Sequence, residues 1–197
     1  MEKTLKQQPA NLVKIVLFGP ESTGKTTLSI QLARHYNTVW VPEFARDYLQ
    51  NKWNNYRKTC ELVDIMPIAE GQIQLENELA KKADKVLICD TDLLETKVYS
   101  EEFYNGTVNP KLEKAAIENT YDLYLLTYID TPWEKDDLRD RPEHRLEMFK
   151  AFENALIKYN KPYILVKGSK KERLNTAIKA IDQIIAKKKH LQTFPSK

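Results

Sequence analysis

Two apolar patterns alternate along the chain. Short, nearly unbroken apolar runs occupy residues 13–18, 39–41, 86–89, 121–129 and 163–166. Runs of this length predict strands, and the first has the character of a strand covered on both faces. Between them, apolar residues recur at helical spacing. Leu28, Leu32 and Tyr36 predict a helix opening at Gly24 or Lys25, with Asn37 as its left-handed end. Ala69, Ile73, Leu79, Ala80 and Ala83 predict one over residues 66–83, with Pro67 in its first turn and Gly71 as a weak point. Residues 93–104 and 110–119 read as two more helices, parted by an Asn105-Gly106 turn. Leu146, Phe149, Phe152, Leu156 and Tyr159 form the stripe of a helix opened by Pro142. In the last helix Leu174, Ala177, Ile178, Ile181, Ile184 and Ile185 share one stripe, behind a Ser169/Glu172 capping box. Residues 43–49 read as a helix start, and residues 51–64 carry no pattern that assigns them. Strands alternating with helices predict an α/β fold, a parallel sheet with helices on both faces.

Length and composition narrow this little further. At 197 residues, one well-buried domain is expected over residues 13–189. Residues 1–12, polar and containing Pro9, predict a disordered tail, and residues 190–197 a second tail. The charge of +3 is small against 31 basic and 28 acidic residues, so nothing in it calls for a nucleic-acid partner. The basic run 187–189 suits a helix end. Two cysteines suggest neither a disulfide framework nor a metal site. No apolar run is long enough to span a bilayer and no signal-peptide pattern opens the chain, so a cytoplasmic location is expected, with no membrane partner.

The chemistry concentrates after the first strand. Gly19-Pro20-Glu21-Ser22-Thr23-Gly24-Lys25-Thr26 fits G-x-x-x-x-G-K-[ST], the phosphate-binding loop, and Thr27 follows it in the helix. The two glycines let the backbone wrap closely around a phosphate, with N–H groups and the helix N-terminus facing the anion. Lys25 adds a point charge at the β- and γ-phosphates of ATP, and the Thr26 hydroxyl is placed to bind Mg²⁺. Asp90 ends an apolar strand, the setting of an acid that holds the same Mg²⁺. Asp92 shares that water shell, bonds a substrate hydroxyl, or caps the next helix. Glu43 and Arg46 stand just past the second strand, where ligands bind in doubly wound sheets. A carboxylate there suits a substrate hydroxyl and an arginine a phosphate or hydroxyl-bearing ligand; a plain surface pair is the competing reading. Arg139, Arg141 and Arg145 crowd a charged stretch bracketed by prolines, which suits a lid over residues 131–145 that neutralises a transferring phosphoryl group. Arg139 and Arg141 are the preferred pair. His35, His144 and His190 form no constellation.

With these motifs in view, the sequence resembles the ribosylnicotinamide kinase domain of the bacterial NAD-salvage, NadR-like family. The resemblance rests on residues 19–26, Pro42-Glu43-Phe44-Ala45-Arg46-Asp47-Tyr48, Asp90-Thr91-Asp92, Tyr99, residues 104–106, and Thr131-Pro132-Trp133 through Leu138-Arg139. It implies a P-loop NTPase fold of the nucleoside- and nucleotide-kinase type, a three-layer sandwich with five parallel strands ordered 2-3-1-4-5. It also implies transfer of the ATP γ-phosphate to the 5′-hydroxyl of nicotinamide riboside. Glu43 is then the expected base or hydroxyl-orienting group, with Asp90 its rival. Two departures are plain: no His-x-Gly-His adenylyltransferase motif occurs, and Asp137 stands where a glycine commonly precedes Leu-Arg. A kinase for another nucleoside or nucleotide, and a nucleotide-dependent regulatory ATPase, are the competing functions. No Asn-Lys-x-Asp motif supports a GTPase, and the chain has no room for the helical lid domain of a mechanical ATPase. Trp40, Phe44, Tyr48, Tyr99 and Tyr104 are the candidates for stacking on an acceptor base.

Overall fold

The three longest strands make the middle of one parallel sheet. The computed structural model describes residues 5–138 and 142–193. Strands β1 (Val13–Phe18), β2 (Trp40–Val41), β3 (Val86–Asp90), β4 (Leu123–Thr127) and β5 (Tyr163–Val166) pair in the order β2-β3-β1-β4-β5. Every residue of β1, β3 and β4 is buried, which is why these strands lack a polar alternation. Among the described residues seven helices connect or follow them: α1 (Lys25–His35), α2 (Phe44–Tyr56), α3 (Ile65–Ala80), α4 (Leu93–Phe103), α5 (Pro110–Glu118), α6 (Arg145–Lys158) and α7 (Lys170–Thr193). Alternate β1 side chains enter two core layers. Val16 and Phe18 meet Ile73 of α3, Leu94 of α4 and Phe152 of α6. Ile15 and Leu17 meet Leu28 and Leu32 of α1 and Ala177 and Ile181 of α7. The register Leu17 to Asp90 and Phe18 to Leu126 brings the carboxyl ends of β1, β3 and β4 to one edge. The loops leaving that edge carry the chemistry. No helix among the described residues is long and apolar enough to cross a membrane.

Four local expectations change. Residues 5–12 are no loose tail: Leu5 is buried, Gln7 donates to Glu76 (2.8 Å) and accepts from the Thr120 N–H (3.0 Å), and the Gln8 N–H reaches Asn77 (2.7 Å). Helix α7 runs to Thr193, four residues into the expected C-terminal tail. The unassigned stretch continues α2 to Tyr56, where Arg57 turns left-handed, and a 3₁₀ turn Leu62–Asp64 leads into α3. No residue of α2 is buried, so its sequence carries no apolar stripe.

Gly71 is the fourth. It seats the Phe44 ring rather than weakening α3: a Cβ there would lie 2.2 Å from Phe44 Cε1. Gly71→Ala is therefore expected to destabilise the fold by about 1–3 kcal/mol, the range for overpacking, despite alanine's better helix propensity. Denaturant melts check this. A stabilised variant would show that the Phe44 contact yields freely.

Candidate active site

The phosphate loop is shaped by its two glycines and held from outside. Gly19 (φ 134°) and Gly24 (φ 82°) both lie in backbone conformations that side chains disfavour. At Gly19 a Cβ would also fall 2.8 Å from Thr127 Oγ1. The Thr23 hydroxyl bonds the Pro20 carbonyl and Thr127 Oγ1, each at 2.7 Å. Arg173, nearly buried at the start of α7, donates to the carbonyls of Thr23 (2.7 Å), Gly168 (2.9 Å) and Tyr128 (3.0 Å), and pairs with Asp130. The Ser22 carbonyl accepts from Thr131 Oγ1 (2.8 Å) and Arg145 (3.1 Å). With these carbonyls engaged outward, the α1 N-terminus, where Thr26 and Thr27 are exposed, is left to face an anion. Thr127 and Arg173 had no signal in the sequence beyond their types.

Lys25 is buried at the centre. Its Nζ donates to the Gly19 carbonyl (2.6 Å) and the Pro20 carbonyl (3.0 Å), and lies 3.2 Å from Glu95 Oε1. Burial alone would lower its pKa, but the charges of Glu95, Glu43 and Asp90 outweigh burial and raise it, so the ammonium is held charged. Glu95, missed in the sequence, is 2% exposed and also accepts from the Gly19 N–H (3.3 Å). Burial drives its carboxyl well above the ordinary carboxylate range, against the pull of Lys25.

Thr26 Oγ1 donates to Asp90 Oδ2 at 2.6 Å. Asp90 Oδ1 is buried without a hydrogen-bond partner among the described residues. An unpartnered carboxylate oxygen beside a hydroxyl fits a hard cation that keeps water and phosphate as its other ligands. No cluster of three or more His, Cys, Asp or Glu side chains among the described residues could hold a metal unaided. Burial and the charge of Glu43 push the Asp90 carboxyl up to about 7, opposed by Lys25 and the Thr26 hydrogen bond. Toward more acid pH a proton therefore competes with a cation for Asp90. At low Mg²⁺, ATP-dependent activity should therefore fall on the acid side of about pH 7. Added Mg²⁺ competes with the proton, so the fall should move to lower pH in a Mg²⁺ titration of the pH profile. A limb that ignores Mg²⁺ would take Asp90 out of the metal shell.

Glu43 occupies the N-cap position of α2, yet its side chain makes no capping bond. Its charge is felt by Lys25, Asp90, Glu95 and Arg46, which places it at the same centre. Gln72 of α3 grips the chain on both sides of it, accepting from the Phe44 N–H (2.8 Å) and donating to the Pro42 carbonyl (3.4 Å). A buried glutamine on an apolar helix face was the one hint of that clamp.

Arg46 pairs with Asp136, and Gln50 donates to Asp137 (3.1 Å). The Glu134 N–H bonds Ser22 Oγ (2.9 Å). Residues 131–138 thus bridge the phosphate loop and α2, where a lid belongs. Arg139 and Arg141 lie outside the described residues. Arg145, the third arginine of that stretch, reaches the loop: besides Ser22 it donates to the Thr131 carbonyl (3.0 Å) and lies over the Trp133 ring. The Glu21 carboxylate is within electrostatic reach of both Arg46 and Arg145.

Asp92 does not join the site. It is buried, caps α4 by accepting the Glu95 N–H (3.0 Å), and accepts the Tyr124 hydroxyl (2.8 Å). Of the stacking candidates, Tyr99 packs edge-on against Phe152 at 5.2 Å, and Trp40 joins the core on the α1 side. A cavity of about 1220 Å³ opens near residues 5–12 and Lys14, lined by none of the phosphate-loop residues.

This sheet order and loop define a P-loop kinase fold. A family model described as an AAA domain matches residues 14–173, and the chain belongs to that family. It is 32% identical over 143 residues to the trifunctional NAD biosynthesis/regulator protein NadR of Salmonella typhimurium, covering 73% of this chain and 34% of that protein. The chain therefore spans about a third of that relative's length. Among solved structures, a NadR protein in complex with NR superposes with a TM-score of 0.72 at 20% identity, over 88% of this chain and 51% of that one. Deoxyadenosine kinase from M. mycoides with bound dATP gives 0.59 at 17% identity, over 86% of this chain and 99% of that one. At these identities the two structures speak for the fold.

Proposed function

We propose that this protein is an ATP-dependent kinase that phosphorylates nicotinamide riboside to nicotinamide mononucleotide. The observation that carries the reading is the convergence of Lys25, the Thr26–Asp90 pair and Glu43 at one edge of the sheet. Phosphoryl transfer demands positioning and charge neutralisation more than covalent chemistry, and these groups supply both. The loop N–H groups and Lys25 bind the phosphates. Thr26 and Asp90 would hold Mg²⁺, which neutralises phosphate charge when bound. Glu43 orients the acceptor hydroxyl and takes its proton as the new O–P bond forms and the bond from the γ-phosphorus to the β,γ-bridging oxygen breaks, leaving ADP. Arg46 sits beside Glu43 to grip the acceptor, and Arg139 and Arg141 would supply positive charge to the transferring group.

The acceptor is assigned by similarity. The relative's name places it in NAD biosynthesis, and a neighbouring fold was solved with NR. The deoxyadenosine kinase neighbour supports a second reading, a kinase for another nucleoside, since only the pocket beyond Glu43 would differ. Incubation with Mg·ATP and nicotinamide riboside, followed by mass analysis for nicotinamide mononucleotide, decides between them. No product there, beside ready phosphorylation of a deoxynucleoside, favours the second.

A further inference from the structure

We propose that Glu95 restrains the phosphate loop, holding Lys25 back from a nucleotide's phosphates and so weakening the binding of ATP and ADP. The inference rests on Lys25 being the phosphate-binding lysine. It begins with a broken local rule. Asp92-x-x-Glu95 at the start of α4 has the form of a capping box, in which the glutamate turns back to the N-cap N–H. Ser169 and Glu172 form that box in full, with bonds of 2.8 Å and 3.3 Å. Asp92 does its half. Glu95 instead reaches across to the Gly19 N–H and to Lys25 Nζ.

That choice sets a carboxylate against Lys25. Two of the ammonium's three donors go to Gly19 O and Pro20 O, and Glu95 Oε1 lies 3.2 Å away as its ion-pair partner. A phosphate must compete with these partners for the ammonium. It must also enter a site where Glu95, Asp90 and Glu43 already surround the lysine, with the Tyr99 hydroxyl beyond. In a buried setting, one more negative charge there opposes an anion strongly. A weaker hold on nucleotide hastens release of ADP, a step that often limits turnover.

Glu95→Gln keeps the shape and an acceptor for the Gly19 N–H but removes the charge; Glu95→Met removes both polarity and charge; Glu95→Asp keeps the charge. Dissociation constants for ADP, ATP and adenosine are measured by calorimetry at about pH 9.5, because burial raises the Glu95 carboxyl well above the ordinary carboxylate range and the test needs it ionised. Gln and Met should bind ADP and ATP about tenfold more tightly, with adenosine within about twofold and Asp near wild type. The KM for ATP should fall in step while kcat does not rise. Unchanged or weaker ADP binding in folded variants, or equal tightening of adenosine, overturns the proposal. So does failure of both neutral variants to fold, which would make Glu95 a folding residue. A wild-type chain that binds neither ADP nor ATP would sink the kinase reading itself, whereas binding without the shift sinks this inference alone.

Discussion

Lys25→Ala is expected to lower ATP turnover by about 10³-fold or more, since it removes the buried cation that the phosphate loop supplies to the transferring charge. The same substitution should also lower stability. Lys25 is almost wholly buried and bonded to two loop carbonyls beside Glu95. Breaking one side of a buried ion pair costs about 3–5 kcal/mol where the remaining charge stays, and less here if Glu95 takes up a proton. The raised Glu95 carboxyl makes that uptake easy. The variant should therefore stay folded by circular dichroism with a lower melting temperature. Lys25→Met, which keeps the aliphatic stem, separates packing from charge: its turnover should be as poor, its stability better. Wild-type turnover in either variant, with substrate present, would end the phosphate-loop reading.

Glu43→Gln should lose roughly 10²-fold in kcat, with KM for ATP little changed, within the usual range for removing a general base. The loose transition state limits what any base contributes, so a larger loss would point to orientation of the hydroxyl. A second readout follows from the electrostatics. The charge of Glu43 helps push Asp90 up to about 7. Its removal should shift the acid limb of the pH profile to lower pH, because Asp90 then deprotonates more readily. Unaltered kcat would pass the role of base to Asp90; an unmoved limb would separate Glu43 from the metal site.

These residues differ in how far the sequence alone exposed them. The phosphate loop, the apolar strands and Asp90 were legible because their signals are local. A loop that wraps a phosphate needs glycine at fixed spacing, and a strand covered on both faces needs an unbroken apolar run. The alternation of strands and helices likewise determined a parallel sheet, and with it the edge where ligands bind. The Ser169/Glu172 cap formed as written because both partners sit within one turn.

What only the tertiary structure decided involves side chains that meet across elements. Asp92 and Glu95 carry one local signature, yet one turns into the core toward Tyr124 of β4 and the other toward Gly19 and Lys25. Nothing within four residues distinguishes them; the choice lies with partners 32 to 76 positions away. Gly71 reads as a helix flaw until Phe44, from another helix, is seen to occupy the space of its missing Cβ. The second half of helix α2, residues 51–56, was illegible because the helix buries no residue and so lacks the period that marks a helix. Residues 5–12 read as a tail because their anchors are polar: Gln7 and Gln8 are held by Glu76, Asn77 and Thr120, partners that no hydrophobic pattern announces.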